Sequence, residues 1–132
     1  MRRFIFLLVG AGLLLGCPRE QLAVWIEESS TADSLVFGLG DRYRSGPPTR
    51  RLDFFRVHPC PENRVWQAAI WDITGATPNP PSTILFGHVP EGYTEQVSAP
   101  DPILPGCYAV YTNDGIATRF EVSQTGGVIE LL

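Results

Sequence analysis

His58 and His88 are the only side chains here whose ordinary pKa places a general base near neutrality. Asp53 and Glu62 flank His58 in the sequence and Asp72 follows. Folded together, these groups could give a small hydrolase its base and a carboxylate partner. His58-Pro59-Cys60, with His88 and Cys107, offers ligand types for a metal. No spacing among them matches a zinc template, and a blue-copper site would want a methionine, of which Met1 is the only one. There is no Gly-x-Ser-x-Gly elbow, phosphate loop or His-Glu-x-x-His motif, and Gly38-Leu39-Gly40 lacks the third glycine of a dinucleotide fingerprint. The expectation is a protein without catalytic residues, metal or cofactor. The alternative is a small envelope hydrolase or metal-handling protein using His58, Asp53, Glu62 and His88.

Binding chemistry is better represented. All ten positive side chains are arginines, set against 14 acids, for a net charge of −4. That balance excludes a general nucleic-acid binder, which needs positive surface for phosphate. Six of the arginines (Arg42, Arg44, Arg50, Arg51, Arg56 and Arg64) fall in one stretch opposed there only by Asp53 and Glu62. Arg42, Tyr43, Arg44, Arg50 and Arg51 are therefore the candidate binding residues, in loops 41–51 and 58–64, for an anionic ligand or a docking partner. The plainer reading is that these arginines pair with acids around them. Trp25, Trp66 and Trp71, with Tyr43, Tyr93, Tyr108 and Tyr111, could make a stacking platform for a sugar, although core and sheet packing accounts for them more simply.

Arg2 and Arg3 precede 13 uninterrupted apolar or glycine residues, 4 to 16. A bilayer span needs about 20 such residues, whereas this layout fits the charged and apolar regions of a secretory signal. The run closes on Leu14-Leu15-Gly16-Cys17, which resembles the lipobox of bacterial lipoproteins. That resemblance implies a diacylglyceryl thioether on Cys17, removal of residues 1–16, and acylation (palmitate-type) of the new amino terminus. Two or more acyl chains would anchor the protein stably without a spanning helix. Pro18, where aspartate would signal inner-membrane retention, implies the outer membrane, facing the periplasm or the surface, if the envelope is diderm. The chain then divides into a signal peptide (1–16), a lipidated cysteine with a short tether (17–21), and a folding unit (22–132). Processing leaves eight arginines against 14 acids. An exported chain folds in an oxidising compartment, so Cys60 and Cys107 are expected to form a disulfide. Closing that loop would stabilise the fold by about 4 kcal/mol.

Gly 13 and Pro 12 are too many breakers for a helix bundle. Alternation or β-branched and aromatic content marks strands at 22–27, 35–39, 52–57, 65–73 and 84–89, with loops at 38–49 and 77–81. Prolines 100, 102 and 105 make 93–105 an extended crossing. Segments 107–112 and 116–123 flank Asn113-Asp114-Gly115, a strong hairpin signal, and 128–132 is a final strand. Seven or eight short strands read as a single small antiparallel β-sandwich with one disulfide. Leu104-x-x-x-Tyr108 resembles the segment that opens the penultimate strand of immunoglobulin-like and fibronectin type III-like modules. Cys107 precedes that tyrosine instead of following it, so the disulfide is expected to tie a loop to the start of a strand. The function expected is that of a membrane-anchored envelope lipoprotein, a non-catalytic binding or assembly module for an envelope protein or an anionic glycan.

Overall fold

The computed structural model describes residues 21–44 and 46–131. The signal segment, Cys17 and most of the tether lie outside the described residues. Nine strands form two antiparallel sheets and no helix occurs among the described residues. The strands are β1 (Ala23–Ile26), β2 (Val36–Gly40), β3 (Leu52–Pro59), β4 (Trp71–Thr77), β5 (Thr83–Leu85), β6 (Tyr93–Val97), β7 (Gly106–Thr112), β8 (Gly115–Val122) and β9 (Val128–Leu131). The smaller sheet has the order β1-β2-β5, the larger β6-β4-β3-β7-β8-β9.

Period-two patterning explains the packing. Val24, Phe37 and Leu39 of the small sheet and Phe55, Val57, Trp71, Ile73, Tyr108, Val110, Phe120 and Val122 of the large one are buried. They meet in one core. Phe37 joins the sheets, its ring edge-on to Phe55 at 5.0 Å and to Phe120 at 5.8 Å. Phe55 continues to Trp71 (5.9 Å), and Trp71 to Phe86 (5.3 Å). Buried polar tips find partners: Trp71 Nε1 donates to Glu95 Oε2 at 2.9 Å and the Tyr93 hydroxyl to the Leu52 carbonyl at 2.8 Å.

Four local expectations need correction, and the count of strands rises from seven or eight to nine. Residues 66–70 are outside the sheet and the strand expected at 65–73 begins only at Trp71. Trp66-Gln-Ala-Ala has no period-two alternation, whereas Trp71 and Ile73 do alternate into the core. Tyr93–Val97 is a paired strand on β4, its signal masked by the prolines that follow it. The strand expected at 84–89 stops at Leu85, because Gly87 (φ 83°) turns the chain and His88 N–H closes the turn on the Leu85 carbonyl. Gly38 and Gly40 belong to β2, not to a loop. The Trp25 indole lies across them, so closely that a Cβ on Gly38 would stand 2.2 Å from its ring.

The hairpin forms where expected, with Asn113 and Asp114 as its tip and Gly115 (φ 98°) taking the left-handed position. Cys60, just past β3, and Cys107, in β7, form the disulfide, with Cα atoms 5.3 Å apart. The Cys60 N–H also donates to the Cys107 carbonyl at 2.9 Å. The bond thus ties the segment just past β3 to the start of β7, as expected.

Candidate functional site

The arginines of 41–51 are largely engaged by acids. Arg44 meets both oxygens of Glu130, at 3.1 and 3.3 Å, with its guanidinium 5.7 Å from the Trp25 ring. Arg50 pairs with Asp114 at 3.0 Å and Arg51 with Asp53 at 2.8 Å. Both Glu130 and Asp114 also receive backbone donors from the outer edge of β1. Ile26 N–H donates to Glu130 Oε1 and Leu22 N–H to Asp114 Oδ2, each at 3.0 Å. Leu22 and Ile26 are four apart, so both amides point away from β2. These carboxylates therefore satisfy a sheet edge while Arg44 and Arg50 balance their charge. Arg42 folds over the Tyr43 ring, 4.5 Å from its centroid, and bonds its hydroxyl. Tyr43 is 69% exposed, so Arg42 and Tyr43 form the outward tip of the loop.

The proposed aromatic platform divides. Trp71, Tyr93 and Tyr108 are core residues, Trp25 covers the β2 glycines, and Tyr43 stands apart. Trp66 and Tyr111, however, meet on the outward face of the large sheet. After a bulge between Leu52 and Phe54, β3 alternates: Phe55 and Val57 face the core, while Phe54, Arg56 and His58 face out. Tyr111 of β7 lies beside them, opposite Arg56. Trp66, Tyr111 and His58 contact one another nearly perpendicularly. Centroids are 4.9 Å apart for Trp66–Tyr111, 5.4 Å for His58–Tyr111 and 6.4 Å for His58–Trp66. With Phe54 and Arg56 they line a shallow cup of 270 Å³. The Arg56 guanidinium lies 4.2 Å over the Phe54 ring and donates to Asp72 Oδ2 at 3.1 Å. Burial pushes the Tyr111 phenol above its ordinary pKa and the nearby Arg119 charge draws it back.

Local backbone geometry holds Trp66 there. Glu62 and Val65 exchange hydrogen bonds at 3.2 and 2.8 Å across Asn63 (φ 51°) and Arg64 (φ 63°), both left-handed. That is the two-residue turn with positive φ at both centres, adopted here without glycine. His58 Nδ1 is 2.8 Å from the Gln67 carbonyl, and Gln67 Nε2 donates to the Cys60 carbonyl at 3.3 Å. The disulfide fixes the base of the same segment. This cup was not anticipated as a unit. Its readable signal was the alternation Phe54, Arg56, His58, which puts a ring, a guanidinium and an imidazole on one face.

Asp53 and His58 are five residues apart on β3, about 16 Å at ~3.3 Å per residue, beyond the reach of a shared proton. His88 follows β5 in the other sheet. Among the described residues no three His, Cys, Asp or Glu side chains are close enough to hold a metal. His58, Asp53, Glu62 and His88 thus make no common metal site.

Comparison of the chain with known protein families, with characterised proteins and with solved structures finds no match.

Proposed function

We propose that the protein is a lipid-anchored module of a bacterial cell envelope that binds other envelope components without catalysing a reaction. The observation that carries this reading is Leu14-Leu15-Gly16-Cys17 placed directly behind Arg2-Arg3 and the apolar run. Cys17 would hold the lipid, and Pro18 favours the outer membrane as destination. Only five residue steps separate Cys17 from Leu22, a reach of about 17 Å. The folding unit, 22–132, would therefore stay close to the bilayer.

We further read the two sheets as an immunoglobulin-like or fibronectin-like sandwich. The orders β1-β2-β5 and β3-β7-β8 correspond to strands A-B-E and C-F-G of such modules. Tyr108 donates its hydroxyl to the Leu104 carbonyl at 2.6 Å, a bond like that of the tyrosine corner. The bond from Cys60 to Cys107 departs from the inter-sheet disulfide of antibody domains. Two surfaces are available for contact: the Arg42–Tyr43 tip and the aromatic cup around Trp66.

Anchoring is tested by Cys17→Ser. The variant should lose all metabolic labelling by palmitate, remain unprocessed, and leave the mature lipidated form absent from membranes. Undiminished labelling refutes the lipid anchor. Crosslinking in membranes from photoreactive groups at Tyr43 and Val65 should trap an envelope component. Recovery of none from either position removes the basis for a binding role.

A further inference from the structure

The cup around Trp66 is built more rigidly than a surface aromatic needs to be. Trp66 is 46% exposed, yet a disulfide, a turn with two left-handed residues and the His58–Gln67 contact fix its position. Left-handed non-glycine residues are strained, and such strain concentrates where a structure positions something for binding. A preordered ring spares a ligand the ordering cost of a mobile side chain.

Charge decides the class of ligand. On the outward face of β7 and β8, Arg119 stands opposite Ala109, two positions from Glu121. Arg119 makes no ion pair among the described residues. The charged groups around the cup are Arg56 with Asp72, Arg119 with Glu121 along β8, and Glu62 with Arg64 in the turn that carries Trp66, three positive and three negative. An anionic partner was expected from arginines that here face Glu130, Asp114 and Asp53. No such excess exists at the cup. Balanced donors and acceptors around apolar rings suit a molecule with an uncharged, hydroxyl-rich rim and an apolar face.

We infer that the cup around Trp66 is a binding site for a neutral saccharide, one ring resting on Trp66 and Tyr111 and its hydroxyls meeting Arg56 and Arg119. The space, 270 Å³ and open to the sheet face, suits a single ring of a longer chain. From β6 to β8 that face crosses five strands, about 19 Å at ~4.8 Å per strand, so neighbouring rings have a surface to follow. This inference names the ligand of the binding role proposed above and rests on it, but not on the lipid anchor.

The test uses the full-length protein, purified from membranes in detergent, with cellohexaose, maltohexaose and chitohexaose as neutral probes and polygalacturonate as an acidic one. Titration is followed by calorimetry and tryptophan fluorescence. At least one neutral hexasaccharide should bind and shift tryptophan emission. Trp66→Ala should weaken it at least tenfold and Trp66→Phe less, while Val89→Ala, at an exposed apolar residue past β5 in the other sheet, leaves it unchanged. Disulfide content and circular dichroism confirm that each variant is folded. The inference is overturned if folded wild type binds none of the three neutral probes, if only polygalacturonate binds, or if Trp66→Ala binds as wild type does. In those cases, continued crosslinking from Val65 to an envelope protein would leave the broader binding role standing, with a protein partner in place of a sugar.

Discussion

Tyr108 shows how much one side chain does at the strand end. Its ring stacks on Phe120 at 5.4 Å and its hydroxyl donates to the Leu104 carbonyl. Burial raises its pKa above the ordinary value of 10.0, so the folded state favours the neutral phenol. A raised folded value means its contribution is fully present below about pH 10 and is lost as pH rises through the folded pKa. Tyr108→Phe should cost about 0.5–1.5 kcal/mol at neutral pH, from the lost hydrogen bond, and flatten the decline in stability above pH 10. Denaturant titrations at pH 7 and at several points above 10 measure both, with Tyr111→Phe separating the second raised tyrosine. An unchanged alkaline slope in Tyr108→Phe would show that this phenol is not responsible. Leu104 and Tyr108 could be matched from sequence because their bond is local. The task of Arg44 was hidden, because its partner Glu130 is 86 residues away.

Among the elements, β1 carries the clearest design problem. It is the outermost strand of a three-stranded sheet, with unpaired amides that would template another chain. Glu130, on β9 opposite Phe120, points toward the core side, where its carboxylate takes Ile26 N–H, the Thr118 hydroxyl at 3.3 Å and Arg44. Glu130→Ala should lower stability by about 1–3 kcal/mol, because a backbone donor is left without its charged acceptor. Arg44→Gln should cost only about 0.2–1 kcal/mol, and less in high salt, since this guanidinium is half exposed and the carboxylate keeps two other donors. Urea midpoints for the two variants check the ranking; equal losses would mean that the ion pair, not the edge amide, is what matters. Among the described residues most strands were legible from alternation, turns and β-branched content, although β4 was marked only in its first three residues and the glycines of β2 read as loop. β6 was not legible, since three prolines just downstream outweighed its five residues. Nor could any local pattern assign an inward glutamate, whose place depends on a strand elsewhere in the fold.

For the molecule as a whole, the 47-residue separation closed by Cys60 and Cys107 is the largest single covalent constraint. Replacing both by alanine should remove about 4 kcal/mol in the loop-entropy estimate, a large share of the 5–15 kcal/mol typical of a domain. Guanidinium denaturation of the double variant against wild type measures this. A loss below about 1 kcal/mol would show that the reduced unfolded chain already holds these two segments close, leaving little loop entropy for the bond to remove. The pairing of the cysteines was readable from their number and from the oxidising compartment expected of an exported chain. The aromatic cup was only half readable, because alternation places Phe54, Arg56 and His58 together while Trp66 arrives by a turn that lacks any glycine signal. Phe37 has a mechanical meaning as well. On the tether proposed at Cys17, tension would enter at β1, which is bonded to β2 on one side and to the Asp114 and Glu130 caps on the other. The cup sits on the other sheet. A pull between membrane and anything held at Trp66 would then cross from the small sheet to the large one by two routes, the Asp114 and Glu130 caps on β1 and the interlocked rings of Phe37, Phe55 and Phe120.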